Sequence, residues 1–493
     1  MGPNVSGVAP TSEPDGAAAV IEGRVFPGDE GTYRLLPIEV RPGTARLDIE
    51  YGWRPLPPAP PDGLLNKTVL DLGLWGAAGY RAAEAFRGWS GDRHRQVFVA
   101  GDGATRGYRP GPIEAGLWHV ELGVGAVGPT GAAWTVAVRA SRGPRTGGDA
   151  APAPDPVDPH HVARAEPGWY HGDFHMHAWH SHPDGPSPEE VVGRARAAQL
   201  DFLPITEYVV PHHWDQWGAV QRAHPDLLIW PGREIVTYSG HVQALGETPG
   251  FVEYRHGFED VTIGGIQAAV RAAGALFGVN HPTTFPGPLF RAFCRGCAFD
   301  LADEIDWDAV DTIEVLTGEA LVRPHEYGMP DVGVPLANPF SQTAIDLWES
   351  LLNRGHRITA VCGSDDKLGP RLGACATAVY ARELSRAGVV EGVRAGRAYV
   401  RTRGVAGSPA LAMPGSATFG ATVPAGRAEL PVTVTGGRRQ LLRLIGNGDD
   451  LATVVIDADP FTHAFAVDGE GWFRVETLDG KGRTTIGNPV FLR

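Results

Sequence analysis

Residues 172–185 read GDFHMHAWHSHPDG and place His175 and His177 one residue apart, directly after an aromatic, strand-like run. Nine of the eighteen histidines in the chain lie between residues 171 and 241. Alternate residues of a strand share a face, so two such imidazoles converge on one ion only where the strand ends and both can turn inward. The pair therefore predicts a metal site at a strand end, over a pocket.

An HxH pair alone is weak evidence for a metal site, because paired histidines also occur on protein surfaces and in hydrophobic cores. Downstream, however, a series of short apolar runs each carries a metal-competent or titratable residue at or just past its end, as strands around a common site would. The runs are LPITEY at 203–208, WPGREI with Glu234, SGHVQALG with His241, GVNHP with His281, IEVLTG with Glu314 and VCGSDDK with Asp365.

Length and composition limit the class of protein. A chain of 493 residues with 43% hydrophobic content is too long for one compact domain and supplies two or three cores. The formal net charge of −14 argues against nucleic-acid and anionic-membrane partners, which require a basic face. Because we find neither a long apolar run nor a secretory signal, we expect a cytoplasmic protein that acts on a small molecule. The oligomeric state is left open.

The four cysteines, Cys294, Cys297, Cys362 and Cys375, are too few for a disulfide scaffold in a chain of this length. Cys294 and Cys297 form a CRGC pair that could hold zinc or a redox bridge, but no second CxxC completes a tetrahedral set. We expect a loop with two free thiols. Cys362 lies in an apolar run and is expected to be packed.

Regions along the chain differ in their pattern of apolar residues and in their Gly and Pro content. Residues 20–141 contain short β-rich runs separated by Gly and Pro turns, which predicts an antiparallel β-sandwich. A Pro/Gly/Asp-rich stretch within 142–167 predicts a linker. Residues 168–403 alternate strands with helical patterns, as in a parallel α/β barrel or sheet, and residues 404–493 return to β.

The helices of the central region carry clear end signals. Ser187 is a predicted N-cap, followed by Pro188 at the first helical position and two glutamates in the first turn. Two later helical patterns are predicted to end at Gly274 and Gly355.

The series HxH, ITEY, GREI, GH, NHP and GSDDK resembles the polymerase-and-histidinol-phosphatase (PHP) superfamily, whose fold is a distorted (β/α)7 barrel with metals at the strand C-termini. The runs FRGWSG at 86–91, RGYRPGPIEAGLWHVELG at 106–123, REIVTYSGHVQALG and GNPVFL are similar to the carbaryl-hydrolase-like (CehA/McbA-type) metallohydrolases of that superfamily. The resemblance implies an α/β PHP barrel flanked by an N-terminal β-sandwich and a small C-terminal β-domain.

The resemblance also implies a ligand set. The first metal would take His175, His177, Glu234 and Asp365, and Glu234 would bridge to a second metal held by His241 and His281. Imidazoles and carboxylates suit Zn, Mn or Fe, so we expect two divalent ions of undecided identity. Asp173 is expected to support the site or to close the strand.

The sequence departs from the superfamily at the third metal position. The histidine of ITDH is here Tyr208 and the histidine of GSDxH is here Lys367, so that position is expected to be empty. Asp184 in the PDG element is displaced by extra residues, and His180, His182, His212 or His213 could compensate for the loss. Glu314 is a further candidate for the pocket.

Lys367 and Tyr208 are the candidate catalytic groups. An ammonium supplies a fixed positive charge that could stabilise an oxyanion, and a phenol could donate a hydrogen bond or protonate a leaving group. The alternative is that both are structural residues of a site no longer used.

Three functions remain open. The first is a hydrolase whose pair of metals activates a water to cleave an ester, carbamate or amide bond, as the resemblance to carbaryl-type hydrolases implies. The second is phosphoester hydrolysis, which is common in the PHP superfamily. The third is a non-catalytic scaffold that binds a partner or glycan. In such a protein we would expect the ligand residues of the first two metal sites to be lost as well. Specificity is expected to lie in loops 283–300 and 317–340.

Overall fold

The structure is a computed structural model that describes residues 9–10, 18–58, 66–142, 154–246, 250–287, 290, 293–323 and 333–493. These residues form a mixed α/β fold with many strands and few helices. The helices are α1 (Pro188–Ala197), α2 (Gly218–Ala223), α3 (Ile263–Ala272), α4 (Pro339–Asn353), α5 (Arg386–Arg394) and α6 (Gly404–Gly407).

The N-terminal region contains two β-sheets that share one core. Its strands are β1 (Ala9–Pro10), β2 (Ala19–Val25), β3 (Tyr33–Val40), β4 (Arg46–Pro55), β5 (Val69–Trp75), β6 (Phe86–Gly91), β7 (Gln96–Ala100), β8 (Gly116–Ala126) and β9 (Ala132–Ser141). The sheet orders are β1-β3-β8-β5-β6 and β2-β9-β4-β7. Alternate residues of β9 point inward, so Val136 and Val138 join Trp118 and Leu122 of β8 in the core.

The central region supplies strands β10 to β22. They are β10 (Val162–Arg164), β11 (Gly168–Gly172), β12 (Phe202–Tyr208), β13 (Leu228–Thr237), β14 (Gly240–Leu245), β15 (Leu276–Val279), β16 (Thr312–Thr317), β17 (Leu321–Val322), β18 (Leu336–Ala337), β19 (Thr359–Gly363), β20 (Ala376–Ala381), β21 (Leu384–Ser385) and β22 (Ala398–Arg401). Seven of them are consecutive neighbours in one sheet, in the order β19-β16-β15-β14-β13-β12-β11.

Hydrogen bonds beyond the end of β11 close these seven strands into a ring. The Phe174 amide donates to the Cys362 carbonyl at 3.2 Å, the Asp365 amide to His175 at 2.7 Å, and the His177 amide to Asp366 at 3.0 Å. The segment after β11 therefore pairs with the segment after β19. The residues that follow both strands are brought side by side at the same end of the ring.

The strand–helix alternation expected of a (β/α)7 barrel is only partly present. The pairs β11–β12, β12–β13, β15–β16 and β16–β19 are parallel, but β14 is antiparallel to both of its neighbours. A two-residue turn at 238–239 joins β13 to β14, and the described residues between β15 and β16 contain no α-helix. The ring is thus a mixed sheet with a hairpin in it.

The C-terminal region continues the central sheet. Its strands are β23 (Ala410–Ala412), β24 (Thr422–Val423), β25 (Ala428–Thr435), β26 (Leu441–Gly446), β27 (Asp449–Val455), β28 (Phe461–Val467), β29 (Gly471–Asp479), β30 (Gly482–Gly487) and β31 (Val490–Leu492). β22 pairs antiparallel with β30, so one 15-stranded sheet crosses the predicted boundary at 403 and 404. Strands β23, β25 and β28 form a separate sheet.

The predicted helix ends are confirmed where their cap residues are described. The Ser187 side chain accepts from the Glu190 amide and completes a capping box, with Pro188 opening α1. Gly274 and Gly355 follow α3 and α4 with φ of 76° and 95°. Residues 143–153 of the predicted linker lie outside the described residues, and β10 occupies part of the rest. None of the described helices is long and apolar enough to span a membrane.

A buried carboxylate ties the N-terminal sheets to the central region. Glu121 of β8 accepts from Trp75 Nε1 at 2.8 Å and from the hydroxyl of Tyr254 at 2.7 Å. The Arg255 guanidinium lies 3.5 Å from the same carboxylate. Because Tyr254 and Arg255 belong to the central region, this network fixes how the two regions dock.

We expect Glu121→Ala to lower the free energy of unfolding by about 1–3 kcal/mol, because it leaves the buried Trp75 indole N–H and Tyr254 hydroxyl without their acceptor, while Arg255 keeps its ion pair with Glu253. Urea unfolding followed by tryptophan fluorescence measures the change. Glu22→Ala, at an exposed position of β2, is the matched control and should change stability by less than about 0.5 kcal/mol. Equal effects of the two substitutions would contradict the assigned role of Glu121.

Candidate metal centre

Six side chains that the sequence singled out lie at one end of the ring. His175 and His177 follow β11, Glu234 lies in β13 and His241 in β14. The remaining two, His281 and Asp365, follow β15 and β19. Glu234 and His241 point inward from within their strands, whereas the other four side chains belong to the segments that follow strands β11, β15 and β19.

Four of the six form a compact group. Nε2 of His175 lies 3.4 Å from Oε2 of Glu234 and 3.3 Å from Oδ1 of Asp365. Nε2 of His177 lies 3.3 Å and 3.2 Å from the same two oxygens. In a tetrahedral site with bonds of about 2.0–2.1 Å, neighbouring ligand atoms lie about 3.3–3.4 Å apart. The four nitrogen–oxygen distances of the group therefore match the edge length of a metal-coordination tetrahedron.

The other oxygen of Glu234 faces two more imidazoles. Oε1 lies 2.8 Å from Nδ1 of His241 and 3.2 Å from Nε2 of His281. The carboxylate thus presents one oxygen to each half of the cluster, which is the arrangement of a bridging ligand. Oε2 of Glu234 and Nε2 of His175 have no hydrogen-bond partner among the described residues.

Each imidazole is oriented by a hydrogen bond on its far nitrogen. His175 Nδ1 lies 2.8 Å from Oε1 of Glu314, and His177 Nδ1 lies 2.9 Å from Oγ of Ser181. In the second half, His241 Nε2 lies 2.7 Å from the Arg295 carbonyl and His281 Nδ1 lies 2.9 Å from the Cys297 carbonyl. Because the far nitrogens face acceptors, the near nitrogens are left with free lone pairs for a cation.

Two buried acids, Glu314 and Glu207, support the first two histidines, one by a direct hydrogen bond and the other through a serine hydroxyl. Ser181 Oγ donates to Glu207, so His177 is linked through a hydroxyl to a fully buried carboxylate. Glu314 also accepts the His281 amide at 2.9 Å and therefore touches both halves of the cluster from behind. Glu314 orients the ligands and does not stand among them. No role was predicted for Glu207, although it is the acidic residue of the ITEY motif.

Electrostatics favour a cation at the centre. Burial would raise the pKa of Glu234, but the neighbouring His175 and His241 hold it well below its usual range. Burial would likewise raise the pKa of Asp365, which Lys367 and His175 hold well below normal. Burial would lower the pKa of His175, yet Glu314 and Glu234 raise it well above normal. Protons and divalent cations therefore compete for the same lone pairs.

The backbone is specialised at these positions. His281 and Asp365 have φ of 29° and 47°, a left-handed conformation that non-glycine residues rarely adopt and that concentrates at functional sites. Gly363 lies so close to the HxH segment that a Cβ there would stand 2.2 Å from Cβ of His175. Asp173 accepts the amides of Ser364 and Gly373 and so joins the two segments; burial raises its pKa to about 6.

Lys367 and Tyr208 flank the first half of the cluster. Lys367 Nζ forms an ion pair with Oδ1 of Asp365 and lies 5.7 Å from the centre of the Tyr208 ring. That ring lies 4.5 Å from the ring of His177. Burial raises the pKa of the Tyr208 phenol to about 12, so it remains a hydrogen-bond donor at neutral pH. Both groups line the cavity described below.

Two of the further candidates do not join the cluster. Asp184 is exposed in the turn before α1. His213 is buried and lies 3.0 Å from the Gly232 carbonyl, beside His180 and His212. Burial holds the pKa values of these three histidines below normal, so they are neutral packing groups.

A cavity of about 220 Å³ opens onto the metal-competent residues. Its lining includes Phe285, Phe293 and Thr317 from the two loops that the sequence nominated for specificity. It also includes Trp89 and Arg93 from the N-terminal region, which sequence reasoning missed. The FRGWSG motif that contains Trp89 was the available signal, but a sequence alone does not show where the sandwich docks.

The CRGC loop differs from its prediction. We expected two free thiols, but Cys294 and Cys297 form a disulfide with a Cα–Cα distance of 5.5 Å. The reason is local: Gly296 has φ of 79°, and the turn it forms brings the two cysteines together. Cys362 is buried and unbridged, as predicted.

Comparisons with known proteins give structural similarity only. Neither a protein-family model nor a curated protein matches the sequence. A two-domain protein from Bacteroides vulgatus, described as containing a predicted PHP-like metal-dependent phosphoesterase, is 17% identical with a TM-score of 0.35, over 69% of this chain and 99% of that one. PsfC from Pseudomonas syringae is 17% identical with a TM-score of 0.30, over 46% and 87%. A lesion-specific endonuclease from Pyrococcus furiosus is 13% identical with a TM-score of 0.30, over 46% and 56%.

We expect Glu314→Gln to weaken Zn²⁺ binding by about 10–100-fold, because the neutral amide no longer holds the His175 ring by a charged hydrogen bond. Competition titration with a chromophoric chelator measures the affinity. Glu319→Gln is the control, since Glu319 is an exposed residue that follows the same strand, β16. Unchanged affinity in Glu314→Gln would show that the carboxylate does not support the ligands.

Proposed function

We propose that the protein is a metal-dependent hydrolase that cleaves an ester, carbamate or amide bond of a small molecule with the help of two divalent ions. The observation that carries the proposal is the group of four ligand atoms at tetrahedral spacing, together with the second oxygen of Glu234 directed at two more imidazoles. A structural role would not require Nε2 of His175 and Oε2 of Glu234 to be buried without a hydrogen-bond partner among the described residues.

The ligands divide between the two ions. His175, His177 and Asp365 would hold the first, His241 and His281 the second, and Glu234 would contact both. Zn, Mn or Fe suits this set of nitrogen and oxygen donors. When bound, the two ions supply Lewis acidity, lower the pKa of a water towards neutrality and polarise the oxygen of the scissile bond.

Lys367 and Tyr208 supply the other charges at the reacting centre. Lys367 stands where its ammonium can turn from Asp365 to an oxyanion once Asp365 faces a metal. The Tyr208 hydroxyl keeps its proton at neutral pH and can donate it to a leaving oxygen or nitrogen. Both side chains border the cavity, so a bound substrate contacts them directly.

The walls of the cavity support an aromatic substrate. Trp89, Phe285 and Phe293 line the cavity, and Tyr208 packs edge-on against Trp89 with ring centroids 5.7 Å apart. A volume of about 220 Å³ accepts a group of one or two rings. Aryl esters and aryl carbamates fit this description.

A second candidate function is phosphoester hydrolysis, favoured by the charge around the cavity. Lys367 lines one side and Arg93 another. The Arg93 guanidinium is 4.0 Å from its neighbour Asp92 and 41% exposed, so it is available to an anion. Two cations beside a pair of divalent ions would attract a phosphate. A non-catalytic scaffold is disfavoured because the sequence retains all six ligands of the first two sites.

The test is metal content followed by a substrate panel. Protein purified without chelator should carry about two equivalents of divalent metal, and three would restore the ordinary superfamily site. Aryl esters, carbamates, amides and phosphate esters are then assayed with stripped protein and after addition of Zn²⁺, Mn²⁺ or Fe²⁺.

We expect metal-dependent cleavage of a carboxyl derivative. This activity should be lost in His177→Ala and retained in His224→Ala, whose histidine contacts only surface groups. Cleavage of phosphate esters alone would select the second candidate, and metal-free, inactive protein would refute both.

We expect Lys367→Ala and Tyr208→Phe each to lower kcat by about 10²–10³-fold, because each removes a group that acts on charge developing in the transition state. Metal content should stay unchanged in Tyr208→Phe, which separates a loss of chemistry from a loss of ions. Steady-state kinetics on the best substrate of the panel measures both. Near-normal turnover in the two variants would mean that these residues are structural remnants of the third metal position.

A further inference from the structure

The CRGC loop packs directly against the second half of the metal centre. The Arg295 carbonyl lies 2.7 Å from Nε2 of His241, and the Cys297 carbonyl lies 2.9 Å from Nδ1 of His281. Both imidazoles are thus held by main-chain oxygens of the segment that Cys294 and Cys297 bracket. The loop is itself anchored, because Arg295 pairs with the buried Asp71 of the N-terminal region at 3.1 Å.

The sulfur of Cys297 is within reach of the same two histidines. Cys297 Sγ and one ring nitrogen each of His241 and His281 lie within 4.8 Å of one another, and all three side chains are buried. A thiolate is a strong ligand for Zn²⁺, whereas a sulfur bonded to another sulfur carries no charge and binds metal poorly. The disulfide with Cys294 and a bond from Cys297 to a metal are therefore mutually exclusive.

We propose that reduction of the Cys294–Cys297 disulfide converts Cys297 into a ligand of the second metal, so that the redox state of the loop sets the composition of that site. This inference rests on the proposed function, because it takes the second metal to lie between Glu234, His241 and His281. With the disulfide closed, these three residues leave a coordination position open, as catalytic zinc sites require. Addition of a thiolate fills that position and turns the site into a closed one.

The chemistry balances with an external dithiol as the reductant. Cys294 is half-buried and borders the cavity, while Cys297 is buried, so an incoming thiolate attacks Sγ of Cys294. The sulfur–sulfur bond breaks, a mixed disulfide forms on Cys294, and the electron pair leaves on Cys297 facing the two histidines. The second thiol of the reductant then releases Cys294 as a thiol and is itself oxidised to a disulfide. The Cys297 thiolate binds the metal in place of a proton.

Co²⁺ is the probe, because its visible d–d bands report any bound ion and a sulfur-to-cobalt charge-transfer band in the near ultraviolet reports a thiolate ligand. The full-length protein is loaded with Co²⁺ under oxidising conditions and then reduced with a phosphine, which replaces the dithiol and, having no sulfur, gives no sulfur-to-cobalt band of its own. Two matched variants separate the cysteines. Cys294→Ser leaves Cys297 permanently free, and Cys297→Ser leaves Cys294 free.

We expect the charge-transfer band to be absent from the oxidised wild-type protein and to appear on reduction with the intensity of one cobalt–sulfur bond per chain. The Cys294→Ser variant should show the band without reductant. The Cys297→Ser variant should lack the band in both redox states. Loss of turnover should accompany the band in wild type and in Cys294→Ser. Normal d–d bands without a charge-transfer band in reduced wild type and Cys294→Ser would overturn this inference and leave the metal centre standing. A band that persists in Cys297→Ser would also overturn it. Failure of every sample to bind Co²⁺ would overturn the metal centre and the inference together.

Discussion

Glu234 is a fully buried carboxylate with one oxygen that no hydrogen-bond donor among the described residues reaches. A buried, uncompensated charge costs several kcal/mol, so such a group persists only where cations or donors surround it. Here the surrounding groups are four imidazoles, each turned by a hydrogen bond on its far side so that a lone pair faces inward. The arrangement is stable as a unit only when positive charge, as protons or metal ions, occupies the space between them.

This requirement explains the organisation of the rest of the molecule. The ring of seven strands brings the ligand segments to one end, and the acids Glu207 and Glu314 stand behind the imidazoles. The N-terminal sheets then cover that end and contribute Trp89 and Arg93 to the cavity. Gly125 of β8 leaves the space in which the Arg295 side chain lies, since a Cβ there would stand 2.2 Å from its Cδ. The sandwich is therefore part of the wall of the site.

Apolar runs that carry His, Asp or Glu marked the candidate positions in the sequence, and the resemblance to the PHP superfamily implied which six of them would be ligands. All six nominated residues converge in the structure. Other features depend on contacts that no local pattern encodes. Glu314 lies within the apolar run of β16, and only packing decides that it stands behind His175. Asp184 was nominated from its motif, but the longer HxH loop carries it to the surface.

The same distinction applies to the fold. Caps and glycine stops predicted α1, α3 and α4 because they act within one turn of the chain. The regular barrel expected from the resemblance failed at β13–β14, where the turn at 238–239 is too short to hold a helix. Docking of the sandwich and closure of the CRGC disulfide are long-range or chemical events. Composition and periodicity do not determine either of them.

The hairpin is also what makes the second half of the centre different from the first. In the β13–β14 register Glu234 pairs with Gln243 and Val236 pairs with His241, so Glu234 and His241 share one face as diagonal neighbours. A slip of one residue would turn His241 away, which means that the register itself sets the distance between the bridging carboxylate and its imidazole. The first half, in contrast, is held by the parallel segments after β11 and β19. Because the second half depends on a hairpin and on the carbonyls of the CRGC loop, changes in that loop act on His241 and His281 while the side chains of the first half keep their positions.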